Sequence, residues 1–264
     1  MRLHQPMTAL DALERFLDEP GVRESVAARH LLPAKEAAFA PFPHWLDPRL
    51  VRALEQRGID ALYSHQHEAL EALHAGEDVV IVTPTASGKS LCYNLPVLQE
   101  VCEDPAARAL YLFPTKALSQ DQLAEFRGLS EQAQMDLSAA VYDGDTPAPI
   151  RAVVREAGQV VVTNPDMLST AVLPHHTKWF QLFEQLRYIV VDEAHTYRGI
   201  FGSHVANVLR RLLRVCAHYG STPRIVCSSA TVGNPGELAE TLTGRPFRVI
   251  DKSGAPTGER HVVV

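Results

Sequence analysis

Apolar residues along this chain recur with two periods, and the change from one to the other marks its elements. Leu10, Leu13, Phe16 and Leu17 fall at helical spacing. Asp47-Pro48 reads as an N-cap followed by proline at the first helical position, with Gly58 closing that helix. Leu62-Tyr63-Ser64-His65-Gln66 opens a further helix that runs towards Gly76, with Ser64 as its N-cap. Beyond it, unbroken apolar runs take over at Val79-Val80-Ile81-Val82 and then at 109–113, 138–142, 159–163, 188–192, 224–228 and 247–250, each followed or preceded by a helical stretch. Such runs predict strands of a parallel sheet buried on both faces, whose ligands gather at the carboxyl ends. The clearest helix follows Gly202-Ser203, with Val205, Val208, Leu209, Leu212, Leu213 and Cys216 on one face and Gly220 as its stop. The pattern therefore predicts an α/β fold with a mostly parallel central sheet and helices on both faces, preceded by a helical N-terminal segment.

Composition narrows the class. The chain has 264 residues and 46% hydrophobic content, enough for a sizeable core. Its apolar stretches are short, and Met1-Arg2-Leu3-His4-Gln5-Pro6 has no apolar leader core, so a soluble, cytoplasmic protein with no membrane partner is expected. Cys92, Cys102, Cys216 and Cys227 form no C-x-x-C pair and read as buried thiols. The net charge of −6 argues against a generally basic nucleic-acid binder, yet the charge is uneven. From Thr196 onward nine Arg and Lys stand against four Asp and Glu. Arg210, Arg211 and Arg214 there read as a solvated helix face, and Trp179, Phe180 and Phe183 as packing residues.

Between the run 79–82 and Leu91-Cys92-Tyr93 lies Thr83-Pro84-Thr85-Ala86-Ser87-Gly88-Lys89-Ser90. Strand, tight loop, helix is the context in which backbone N–H groups can wrap a phosphate, Lys89 can neutralise β- and γ-oxygens and Ser90 can hold Mg²⁺. Thr83 stands where the strict pattern has glycine, whereas Gly88 is kept where the backbone must pass close to phosphate. Gln66, some twenty residues earlier, carries a carboxamide that can read an adenine edge; the alternative is a first-turn glutamine. Asp192-Glu193-Ala194-His195 ends the most apolar run. Asp192 is placed to hold Mg²⁺, and Glu193 to orient and deprotonate the water that attacks a γ-phosphate. The hydroxyls of Ser229-Ala230-Thr231, at the end of another strand, are expected to reach towards His195 and relay the state of the nucleotide site.

These stretches together resemble the first RecA-like lobe of a superfamily 2 helicase over about residues 60–250. Motif I would be Thr83 to Ser90, motif Ia Phe113-Pro114-Thr115-Lys116-Ala117-Leu118, motif II Asp192 to His195 and motif III Ser229 to Thr231. Tyr142-Asp143-Gly144-Asp145-Thr146 and Thr163-Asn164-Pro165-Asp166-Met167-Leu168 are similar to the motifs that line the nucleic-acid track, and Asn164-Pro165-Asp166 departs from the T-P-G-R common among RNA helicases. Leu62 to Gln66, Gly88 to Pro96, Leu173-Pro174-His175-His176 and His195 to His204 further resemble the bacterial MrfA-type branch of DExH helicases. That branch implies DNA repair, 3′ to 5′ movement and a zinc-binding cysteine cluster towards a distant C-terminus.

The resemblance implies a RecA-like P-loop NTPase fold, ATP and Mg²⁺ as cofactors, and single-stranded or tailed DNA as partner. It also implies sugar-phosphate contacts from Pro114, Thr115, Lys116, Gly144, Asp145, Asn164, Pro165 and, less directly, Arg198. Lys89, Asp192, Glu193 and His195 would be the catalytic set, with Gln66 and Thr83, Thr85, Ala86, Ser87, Gly88, Lys89 and Ser90 around the nucleotide. Ser229 and Thr231 would couple the two sites. ATP in this superfamily lies between two lobes, and the 33 residues after Thr231 are too few for a second. The expected division is a helical segment at 1–60, the lobe at 61–250 and a linker at 251–264. Two rivals stay open at this point, an ATP-regulated nucleic-acid-binding scaffold without unwinding and the lobe of a restriction-type DNA translocase.

Overall fold

Alternation along the strands sorts their side chains onto two cores. The computed structural model describes residues 8–264. Its strands in chain order are β1 (Arg29–Leu32), β2 (Phe39–Ala40), β3 (Leu62–Tyr63), β4 (Val79–Val82), β5 (Arg108–Leu112), β6 (Ala139–Val141), β7 (Val160–Thr163), β8 (Leu186–Val191), β9 (Arg224–Ser229), β10 (Arg248–Ile250) and β11 (Arg260–Val263). The chain forms two compact units, one of residues 38–255 and one whose described residues are 8–37 and 256–264. The opening Met1 to Pro6, read above for a leader core, lies outside the described residues.

In the larger unit seven strands form one all-parallel sheet in the order β10-β4-β9-β8-β5-β7-β6. Val79, Ile81, Ala109, Tyr111, Val160, Val162, Tyr188 and Val190 point to one face. They meet Leu50, Leu70, Leu95 and Phe126 from the helices Pro48–Gln56, Ser64–His74, Lys89–Glu103 and Lys116–Gln132. Val80, Val82, Leu110, Leu112, Val161, Ile189 and Val191 point to the other. There they meet Val172, Phe183, Leu209 and Leu242 from the segments Leu168–Val172, Phe180–Glu184, Gly199–His218 and Pro235–Thr243. Each fully buried aliphatic side chain of this kind stabilises the fold by roughly 1.5–3 kcal/mol. Coverage on both faces is why the runs show no polar alternation. The fold is the RecA-like α/β architecture that the sequence predicts.

Local signals set the helix ends. Asp47 caps Pro48–Gln56 by accepting from Arg49 N, and Gly58 follows at φ +75°. The helix Ser64–His74 starts one residue before the expected position, because the Gln66 side chain accepts from Tyr63 N and makes Tyr63 the cap. The long helix begins at Gly199, ahead of Gly202-Ser203. Trp179 and Phe183 are buried, as a packing role requires, whereas Phe180 is 48% exposed.

In the smaller unit the helix Ala9–Leu17 is capped by Thr8 and Asp11. A second, short helix spans Pro20–Arg23, and β1 pairs antiparallel with β11, Arg29 opposite Val263. The contact pattern thus draws its boundaries elsewhere than 1–60, 61–250 and 251–264. Residues 38–60 carry Leu50 and Leu54 into the core of the larger unit, and the segment after 251 contains a strand. Among the described residues no helix is long and apolar enough to cross a membrane.

Candidate active site

Strand register assembles the site. β4 stops at Val82, and residues 83–88 cross its carboxyl end into the helix that starts at Lys89. Thr83 is fully buried, and its hydroxyl shares a 2.6 Å hydrogen bond with Ser87 Oγ across the loop. Ala86 and Gly88 both take the left-handed region, at φ +63° and +80°. For Gly88 the requirement is double, because a Cβ there would sit 2.6 Å from Gln66 Nε2. Thr85 and Ala86 are exposed on the loop, and Ser90 is half-buried in the first turn of the helix. The Lys89 ammonium donates to the carbonyls of Thr83 at 2.8 Å and Pro84 at 3.1 Å. Burial lowers its pKa, against the opposing charges of Glu193 and Asp192.

β9 lies between β4 and β8, with Val82 opposite Ser229 and Val191 opposite Cys227. One step further along, Ser228 Oγ donates to Asp192 Oδ1 in a short hydrogen bond. Asp192 is 6% exposed, and its pKa is pushed up to about 7, first by burial and then by the charge of Glu193. Glu193 sits at φ +50°, a conformation that costs a non-glycine residue energy and that recurs at functional sites. His195 Nδ1 is 3.1 Å from Glu193 Oε2 and 3.2 Å from Ala230 N. A lone pair on Nδ1 accepts from Ala230, whereas a proton there donates to Glu193, so the ring serves one neighbour at a time.

The expected hydroxyl relay from Ser229 and Thr231 to His195 is corrected by this geometry. Ser229 Oγ donates to the adjacent Ala230 carbonyl at 2.8 Å, and the group that meets His195 is the Ala230 backbone N–H. Thr231 is exposed. The side-chain link to motif II comes from Ser228, one residue earlier, because the register puts that residue and not Ser229 beside Asp192.

Gln66 is buried and spans two neighbours, accepting from Tyr63 N at 2.9 Å and donating to Gly88 O at 2.9 Å. It borders a cavity of about 620 Å³ whose walls include Phe39, Ile59, Asp60, Tyr63 and Ala86. Phe39 and Tyr63 stack across the β2–β3 pair with centroids 5.4 Å apart. Neither aromatic was a sequence candidate. Of the aromatics in 41–45, Trp45 instead stacks on His74 and Phe42 packs on the core.

The other half of the sheet brings the remaining candidates together. Leu112 lies opposite both Val191 and Thr163, and Val141 opposite Val162, so the loops after β5, β7 and β6 share one edge. Half-buried Pro114 leads into Thr115, which caps Lys116–Gln132, and Asn164 caps the turn Pro165–Met167. Exposed Lys116 pairs with exposed Asp145, and Arg151 braces the carbonyls of Asp143, Gly144 and Thr146. Arg198 is separate from this set. It is exposed and lines a cleft of about 630 Å³ with Arg210 and Asn234. His175 and His176 do not converge as ligands, since His176 Nδ1 is engaged with Tyr219 Oη at 2.9 Å.

Comparison with known proteins gives consistent likenesses. The DEAD/DEAH box helicase family model matches residues 63–238. The chain is 56% identical to the uncharacterised ATP-dependent helicase YprA of Bacillus subtilis (strain 168) over 96% of its length, and 40% identical to the ATP-dependent helicase HRQ1 of Saccharomyces cerevisiae over 88%. Those matches span 34% and 22% of the relatives' own lengths, so the chain corresponds to about a third or less of each. A crystal structure of the DUF1998 helicase MrfA bound to DNA superposes with TM-score 0.93 at 54% identity, over 97% of this chain and 36% of that one. A second structure of MrfA, with DNA and AMPPNP, gives TM-score 0.89 at 56% identity, over 90% and 34%.

Proposed function

This chain belongs to the DEAD/DEAH box helicase family, and from that premise we propose that it is the ATP-binding lobe of a DNA helicase or translocase acting in DNA repair. The observation that carries the reading is the β4–β9–β8 register, which sets Lys89, Ser228, Asp192 and Glu193 at one carboxyl edge. ATP would lie along that edge, its base in the cavity between Phe39, Tyr63 and Gln66 and its phosphates under the loop 83–90. Lys89 would exchange the Thr83 and Pro84 carbonyls for phosphate oxygens. Ser90 and Asp192, two hard oxygen donors, suit Mg²⁺, which would supply charge neutralisation at the β- and γ-oxygens.

Glu193 would then orient the attacking water and take its proton, released from His195 when the ring turns its lone pair to Ala230 N–H. The strand of DNA would cross Pro114 to Lys116, Gly144, Asp145, Asn164 and Pro165. Short side chains and backbone amides grip sugar-phosphate there without reading bases. Support for DNA over RNA comes from the MrfA likeness and from Asn164-Pro165-Asp166, which lacks the arginine of T-P-G-R.

A water-orienting base matters only on the way to the transition state. Glu193→Gln is therefore expected to bind a fluorescent ATP analogue as the parent does and to lose at least about 10²-fold in phosphate release, the scale of general-base catalysis. Parent-like turnover in that variant would remove Glu193 from this role.

A further inference from the structure

A buried hydroxyl close in sequence to the acidic pair has no hydrogen-bond partner among the described residues. It is Tyr197 Oη, on a side chain 1% exposed. The ring packs in the same core as Val191, Ala194 and Cys227, under the carboxyl ends of β8 and β9. Its position is fixed from both sides. Tyr197 N donates to Ala194 O at 3.1 Å in the turn that follows Glu193, and the helix Gly199–His218 passes so close that a Cβ on Gly202 would lie 2.4 Å from Tyr197 O. A polar atom held so firmly away from partners costs stability that phenylalanine in the same place would not, and such groups call for a functional account.

We propose that Tyr197 is a positioning residue for Asp192. Its hydroxyl donates to the Asp192 carboxylate, directly or through one buried water, when that carboxylate holds a divalent cation. The inference rests on Asp192 being the Mg²⁺ ligand. Three lines carry it. Asp192 is the charged group that bears most strongly on the phenol, ahead of Asp166 and Glu193. Burial first, and that charge next, keep the phenol protonated and so a donor. An ionised carboxylate accepts at about four lone-pair sites, and Ser228 fills one of them, which leaves room for both a cation and a second donor. Hydrogen bonds of this kind fix the orientation of a ligating oxygen, and losing one typically weakens metal binding about 10–100-fold.

The test is titration of a fluorescent ADP analogue into the 264-residue chain across a Mg²⁺ series and in EDTA, with Tyr197→Phe, Ser228→Ala and Asp192→Asn alongside. Tyr197→Phe is expected to melt at or above the parent temperature and to bind nucleotide in EDTA within twofold of the parent. Its apparent Mg²⁺ affinity should fall about tenfold or more, as for Ser228→Ala. A merely structural tyrosine would move the melting temperature and leave the Mg²⁺ dependence alone, and Mg²⁺ affinity within twofold of the parent overturns the inference. Asp192→Asn separates the two levels. If it keeps the parent's Mg²⁺ dependence, the assignment of Asp192 fails; if it loses that dependence while Tyr197→Phe does not, only the role of Tyr197 fails. Should Tyr197→Phe not fold, 3-fluorotyrosine placed at 197 reports the same contact. Its ¹⁹F resonance is expected to shift when Mg²⁺ is added to the ADP-bound chain, and an unmoved resonance overturns the proposal.

Discussion

Burial lifts the Asp192 carboxyl from the ordinary carboxylate range to about 7, and the neighbouring Glu193 charge adds to the lift. Between about pH 4 and 7 the folded chain therefore holds this proton while the unfolded chain has lost it, and stability contributed by the site falls as pH rises through that window. The drop is on the order of 4 kcal/mol at most, taking about 1.4 kcal/mol per pH unit. Asp192→Asn, which cannot ionise, is expected to melt higher than the parent at pH 7.5 and close to it at pH 4, measured by calorimetry without divalent cation. Equal melting-temperature differences at both pH values would show that burial of this charge does not strain the fold. The sequence placed Asp192 and Glu193 at a strand end from pattern alone, because carboxylates closing an apolar run at 188–192 have few other places to be. It could not show Ser228 as the partner or the Tyr197 hydroxyl beneath. Both depend on which strand lies beside β8, and that adjacency joins residues 36 positions apart.

At the scale of elements, the seven parallel strands were legible because each is a β-branched run covered on both faces, and the caps at Asp47, Thr115 and Asn164 announce their helices. The pairs β1–β11 and β2–β3 were not. The first joins Arg29 to Val263 with exposed residues in β1, and the second is two residues long, so neither leaves a period to read. The wall of the base cavity at Phe39 was lost with it. On the opposite half of the edge, the Lys116–Asp145 pair bears on nucleic-acid affinity. Both side chains are exposed, so the pair is worth at most about 1 kcal/mol and opens readily. The Asp145 carboxylate would repel a phosphate while it occupies the lysine. Asp145→Asn is expected to tighten single-stranded DNA binding several-fold and to steepen its salt dependence, read by fluorescence anisotropy across a salt series. Unchanged or weaker binding would move the track away from this loop.

At the scale of the whole molecule, one lobe offers one grip on a strand, and its relatives are about three times as long. Phosphoryl transfer is mostly positioning and charge stabilisation, and an arginine finger contributes about 10³–10⁵ in rate. The superfamily resemblance assigns that finger to a second lobe. The 264 residues alone are thus expected to bind nucleotide, to show little DNA-stimulated hydrolysis and to displace no paired strand, with both activities present in a polypeptide that spans the relatives' full length. Brisk strand displacement by the monomeric 264-residue chain would contradict that division of labour. The central claim, that the edge formed by β4, β9 and β8 is a MgATP site, is tested most directly by titrating a fluorescent ATP analogue into the parent chain, Lys89→Ala and Asp192→Ala, with and without Mg²⁺. The account predicts saturable, Mg²⁺-dependent binding in the parent and its loss in both folded variants; identical affinity in all three would contradict it.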